Sequence, residues 1–175
     1  MGNLAALILR LVLGGLMAGH GAQKLFGSFG GPGIEGTSGF MEMLGLRPGR
    51  PWAWLAAVSE FGGGVLTLLG FLNPIGPIGV IGSMTMATTK AHSGKPIWVT
   101  EGGAELPVTN IAAATALIVN GPGKWSLDRA FGIQLPRWLA PLGLVAVILT
   151  VIYAGRGDEP EQDEAREGAA GNDEA

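Results

Sequence analysis

Cysteine is absent from this chain of 175 residues. Disulfides, thiolate metal ligands and thiol–disulfide redox chemistry are therefore excluded for the chain alone. Charge is scarce as well: Asp, Glu, Lys and Arg make up 14% of the residues, against about 25% in soluble domains. With 47% apolar residues and a mean hydropathy of +0.37, the deficit points to lipid as the solvent. Histidine occurs twice, and neither copy falls in a ligand spacing such as H-E-x-x-H, so no metal site is expected. Glycine is plentiful at 31 residues but follows no repeat, which removes collagen and linker readings. Membrane helices use such small residues to approach closely.

The net charge of −3 hides two unequal parts. From Arg156 onward stand eight acids and two arginines, a net −6, so the body carries +3. A solvated acidic tail on a mildly basic membrane body follows, and nucleic-acid binding is excluded as a role.

What is present is a set of long apolar runs. Trp52 to Leu72 holds one charge, Glu60, and roughly twenty residues cross a bilayer as a helix. A carboxylate at its middle costs about 2.5–3.5 kcal/mol on insertion scales, so it must face inward and be paired or protonated. Ser59, Gly62, Gly63 and Gly64 beside it leave room for another backbone.

An earlier run, Leu4 to about Lys24, lacks a basic n-region and contains Arg10, so it reads as a retained helix rather than a signal peptide. Gly15 and Gly19 form a G-x-x-x-G step within it, with Gly14 and Ala18 alongside. It ends in His20, Gln23 and Lys24, which share one face. Residues 27–51 form a glycine- and proline-rich connection with a short amphipathic helix through Phe40, Met41 and Leu44, capped by Thr37 or Ser38 and ended by Gly45. A third span covers Ile75 to Ala91, with Gly76, Gly79, Ser83 and Ala87 in one stripe. Residues 93–106 read as a loop with an extended piece at Ile97–Thr100, and Pro107 opens a short fourth helix through Asn120. The turn Gly121–Asp128 lacks Walker spacing and reads as an interfacial turn, with Ser126 capping a short helix. A fifth apolar run, Trp138 to Tyr153, is a marginally short span, and the tail after Gly155 has a disordered composition.

Let A be the side where the first helix starts and B the side where it ends. Antiparallel counting at 1.5 Å per residue puts Glu60 about 13 Å from B, His20 about 6 Å from B, and Gln23 and Lys24 at B itself. Lys90, His92 and Glu105 also gather at B. Arg10 lies nearer A, offset from Glu60 by only about 8 Å, within reach of two long side chains. An ionisable cluster of this kind inside a bundle is a functional hypothesis by default. Glu60 is the candidate proton donor or acceptor. His20, Gln23, Lys24, Arg10, Lys90, His92 and Glu105 are candidate pocket residues, suited to a quinone-type head group or a small polar solute. An Arg10–Glu60 pair that only locks two helices is the structural alternative.

Arg10, the run His20 to Leu25, Gly45-Leu46, Glu60 with Gly63, Leu68-Leu69-Gly70, His92, Glu105-Leu106 and Gly121–Asp128 together resemble the DoxX family over about residues 4–132. The resemblance implies a four-helix integral membrane core in the cytoplasmic membrane of a prokaryote. It also implies kinship with subunits of quinone-linked oxidoreductases acting on sulfur compounds and with membrane redox complexes. His20, Gln23, Lys24 and Glu60 are the pocket candidates by this carry-over.

The expected fold is an all-α membrane protein: an antiparallel four-helix transmembrane bundle (1–132), a fifth helix within 133–155, and a disordered acidic tail (156–175). The expected role is that of a membrane subunit of a quinone-linked oxidoreductase, its own enzymatic status open. A non-enzymatic scaffold and, further off, a solute carrier are the alternatives. No flavin, haem or iron–sulfur signature appears, so an electron-carrying cofactor belongs to a partner and quinone is the one ligand expected here. Expected partners are membrane lipid, a soluble or membrane redox protein and, in a homo-oligomer, further copies of the chain. Lys24, Arg47, Arg50, Lys90 and Lys95 at B outnumber Lys124, Arg129 and Arg137 at A, which tips B toward the cytoplasm.

Overall fold

The computed structural model describes residues 2–156, so the acidic tail beyond them lies outside the described residues. Those residues form helices and connections, with no strand among them. Helix α1 (Asn3–Phe26) is continuous but carries a π-turn at Arg10–Gly14. Gly27, at φ 68°, ends it in the left-handed region that glycine enters freely. Then come α2 (Gly33–Met43), α3 (Gly49–Leu69) and α4 (Ile75–Met86), which a second π-turn, Ala87–Ala91, extends. Helix α5 (Glu105–Asn120), the short α6 (Leu127–Phe131) and α7 (Leu139–Gly155) complete the order.

The expected spans are thus found as helices, with local differences. The amphipathic helix starts at Gly33, so Thr37 is inside it rather than at its cap; its buried Oγ1 bonds back to the Gly33 carbonyl at 2.7 Å. Val99–Glu101 is a single 3₁₀ turn, not the extended piece expected at Ile97–Thr100. Ser126 does cap α6, accepting a hydrogen bond from the Arg129 N–H at 3.3 Å.

Helices α1 and α3 meet antiparallel and almost backbone to backbone. A Cβ placed on Gly14 would lie 2.4 Å from the Leu68 nitrogen, one on Gly64 2.3 Å from the Ala18 nitrogen, and one on Gly21 2.2 Å from the Phe61 nitrogen. The seam therefore runs through Gly14, Ala18 and Gly21, while Gly15 and Gly19 face open space. This corrects the G-x-x-x-G step: the repeat exists, one residue away from the face that packs. Helix α4 continues the pattern, with Gly76 against Thr67 and Gly79 against the Ser59 carbonyl.

Ala6, Leu13 and Met17 of α1, Val80, Ile81 and Met84 of α4, and Ala114 and Leu117 of α5 fill one core. A second cluster joins Met41 of α2, Leu46, Ala53 of α3 and Ala154 of α7. Helix α7 runs parallel to α4, with Gly143 against Ile78 and Gly82 against Val147. Its far end is fixed by stacking of Tyr153 on Trp52, centroids 6.1 Å apart.

Two helices, Asn3–Phe26 and Gly49–Leu69, are long and apolar enough to cross a membrane, and Leu139–Gly155 is a shorter apolar helix. Gly64→Ala should lower stability by roughly 1–3 kcal/mol, because the methyl meets backbone that cannot yield cheaply. Gly15→Ala and Gly19→Ala should be neutral or slightly stabilising. Melting temperatures in detergent read the contrast.

Candidate functional site

Glu60 sits at the middle of α3 and is 3% exposed. Lys24 of α1 donates to its Oε1. The register set by Gly21 against Phe61 places Lys24 within one helical turn of Glu60, a span that a lysine stem covers. Helix α3 projects about 10 Å past the end of α1 at 1.5 Å per residue, and α2 packs on that projection, with Gly49 against Ser38 and Glu42. Lys24 is consequently half-buried under α2 rather than free at the B surface.

The second carboxylate oxygen, Oε2, is buried and no donor among the described residues reaches it. Glu60 and Lys24 both line a cavity of about 320 Å³. Its walls are Phe40 and Met41 from α2, Trp52 and Ala56 from α3, Gly82 from α4 and Val147 from α7, among other mostly apolar groups. Two wall hydroxyls are already committed to their own helices: Ser83 donates to the Val80 carbonyl at 3.1 Å and Thr150 to the Ala146 carbonyl at 2.9 Å. Lys90 and Ser59 add polar groups to the lining. A small apolar chamber with one ion pair at its edge can hold a flat organic molecule and exchange a hydrogen bond or a proton with it.

Arg10 does not take part. It is 4% exposed and donates to the carbonyls of Thr67 (3.2 Å), Leu68 (3.0 Å), Pro122 (2.9 Å) and Trp125 (2.7 Å). The guanidinium thus closes the last turn of α3 and ties it to the 121–125 turn. Gly70, at φ 60°, ends α3 there, and a Cβ on it would lie 2.7 Å from the Arg10 Cζ. Asp128 completes the lock. Its carboxylate accepts from the Leu72 N–H (2.7 Å) and the Asn73 N–H (2.8 Å), holding Leu72 at a strained φ of 53°. The Arg10–Glu60 pair of the structural alternative is therefore not formed: Glu60, at the middle of α3, takes Lys24, and Arg10 takes carbonyls at the end of the helix.

Of the other candidates, only Lys90 joins Lys24 and Glu60 in the cavity lining. His20 is exposed and Gln23 half-buried, both outside it. His92 Nδ1 lies 2.6 Å from the Gly102 carbonyl, and Glu105 accepts from the Val99 N–H at 3.0 Å. These two fold the 93–104 loop onto itself. The contributions of α2 and α7 to the walls were not anticipated. No polar residue marked them; the spacing of Gly82 and Gly143, each packed against the facing helix, was the available signal.

Among the described residues, two helices are long and apolar enough to cross a membrane, and an acid–base pair lies in the seam between them. The family comparison gives the kind of protein: the DoxX model matches residues 5–93, and the chain belongs to the DoxX family. Comparison with curated proteins and with solved structures found no match. The matched segment holds Arg10, Lys24 and Glu60, whereas the Gly121–Asp128 turn and α7 lie beyond it.

Arg10→Leu should destabilise the protein by on the order of 3–5 kcal/mol, since four carbonyls, one buried and three part-buried, lose their charged donor. His20→Ala should stay within about 0.5 kcal/mol of wild type. Thermal unfolding in detergent distinguishes the two.

Proposed function

We propose that this chain is the quinone-interacting membrane subunit of an oxidoreductase complex, with Glu60 as the proton-handling group of its pocket. One observation carries the reading: a buried carboxylate oxygen with no donor among the described residues, at the edge of an apolar cavity sized for one ring. Pockets for small ligands run from about 300 to 1,000 Å³, so 320 Å³ accommodates a head group and little more. The walls exclude water and hold the ring, Lys24 balances the charge of Glu60, and Glu60 accepts or returns a proton. A bound quinone supplies the electron-accepting chemistry, and electrons come from a partner protein. The scaffold alternative loses its original basis, because its Glu60–Arg10 pair is not formed; helix locking belongs to Arg10 and Asp128.

The bundle is multi-pass in the plasma membrane in this reading, with α1, α3, α4 and α5 spanning and α7 crossing as a fifth helix. Supporting it, α5 presents Leu106, Val108 and Val119 outward and α7 presents Leu142, Val145, Ile148, Leu149 and Ile152, all exposed. Outward apolar faces of this extent need lipid or another protein against them. Trp138 and Tyr153, also exposed, stand near the two ends of α7 at headgroup depth. Sixteen- and seventeen-residue helices reach about 24–26 Å, a shortfall that local thinning absorbs.

Glu60→Gln should keep the melting temperature within a few degrees while shrinking the rise in melting temperature that the reduced form of a short-chain benzoquinone gives the wild type. A wild type that responds to neither form would refute the pocket. A reporter fused at the C-terminus should read cytoplasmic, following the B-side excess of basic residues; a periplasmic signal would remove α7 as a crossing helix or invert the bundle.

A further inference from the structure

The Lys24–Glu60 arrangement sets which redox form of a ring the cavity prefers, an inference that rests on the quinone reading above. In the ion pair, Glu60 offers acceptors only. Oε1 is occupied by Lys24, and Oε2 is buried with no donor among the described residues. A ring that carries a hydroxyl can give Oε2 the hydrogen bond it lacks. Such a bond to an ionised acceptor is roughly twice as strong as one between neutral groups. A ring that carries a carbonyl brings lone pairs against lone pairs at the same position. Donors for a carbonyl do line the cavity, in Lys24, Ser59 and the Trp52 indole, but the hydroxyls of Ser83 and Thr150 are spent on backbone carbonyls. The far walls from α2 and α7 are apolar: Phe40, Met41 and Val147 contribute no acceptor or donor side-chain group.

We infer that the cavity binds the hydroquinone form in preference to the quinone form, through an O–H that donates to Glu60 Oε2. The discrimination sits on α3 at one atom, so it depends on the carboxylate and not on the fit of the ring. An aromatic alcohol of similar size shares the chemistry and should bind in the same way; its methyl ether should not.

The test uses full-length wild-type protein in mild detergent and one short-chain benzoquinone, prepared oxidised and, under anaerobic conditions with excess dithionite, reduced. Apparent affinities are taken from melting temperature against ligand concentration. The reduced form should bind at least about tenfold tighter, the ratio one hydrogen bond to a charged group supplies. In Glu60→Gln, whose amide can both donate and accept, the ratio should fall toward one. Equal affinities, or tighter binding of the oxidised form, in the wild type overturn the preference while leaving the pocket standing. Failure of both forms to bind overturns the preference together with the quinone reading. Because the wild-type ratio decides by itself, a Glu60→Gln protein that does not fold leaves the test intact.

Discussion

A carboxylate at the middle of a lipid-solvated helix has to be neutralised from a neighbouring helix, and the neighbour has to come close enough for its side chain to reach. Here the closeness is supplied by glycine. Gly14, Ala18 and Gly21 let α1 lie on α3 with no side-chain layer between them, against Phe61, Gly64 and Leu68. The same contact fixes the register, and the register decides that Lys24 and not Arg10 meets Glu60. Were either helix shifted by a turn, the bundle would hold an isolated acid, at a cost that its packing would have to offset.

The charges of the bundle then divide between two jobs. At the A end, Arg10 and Asp128 act on backbone: one gathers carbonyls at the end of α3, the other gathers N–H groups of the α3–α4 turn. Both are fully engaged, and both hold elements together. At mid-depth, Lys24 and Glu60 leave one oxygen with no donor among the described residues, beside open volume. The first place locks helix ends together, and the second borders the cavity. Helix α7 belongs to the second, since it closes the side of the cavity that α3 and α4 leave open and lies outside the segment matched by the family model.

Much of this was legible in the sequence, and the misses share one cause. Glu60 announced itself as the only charge in Trp52–Leu72, and the helices follow from apolar runs bounded by glycine and proline. Lys24 stood among the basic candidates around Glu60 but was not singled out as its partner, because counting depth from helix ends assumes that the ends are level. Helix α3 projects beyond α1 under the cover of α2, so Lys24 lies deeper than its place near the end of α1 implies. The glycine seam was missed by one residue for a related reason: small residues stand at 14, 15, 18, 19 and 21, and only packing tells which of the interleaved faces is used. His20 and Gln23 were grouped by depth and by family resemblance, His92 and Glu105 by depth; the first two lie outside the cavity lining, and the last two are engaged by the 93–104 loop. The resemblance of Gly121–Asp128 to a family motif was informative in a different way. The carbonyls of that turn are the seat of Arg10.

The state of Glu60 is the point on which the account turns, and it can be observed without any assay of turnover. Infrared difference spectra of wild type against Glu60→Gln, in detergent or lipid, isolate the vibration of this one side chain. The account predicts an ionised-carboxylate band that is absent in the variant and that shifts when hydroquinone is added. A protonated carboxyl band in its place, or a carboxylate band indifferent to the ligand, would contradict it.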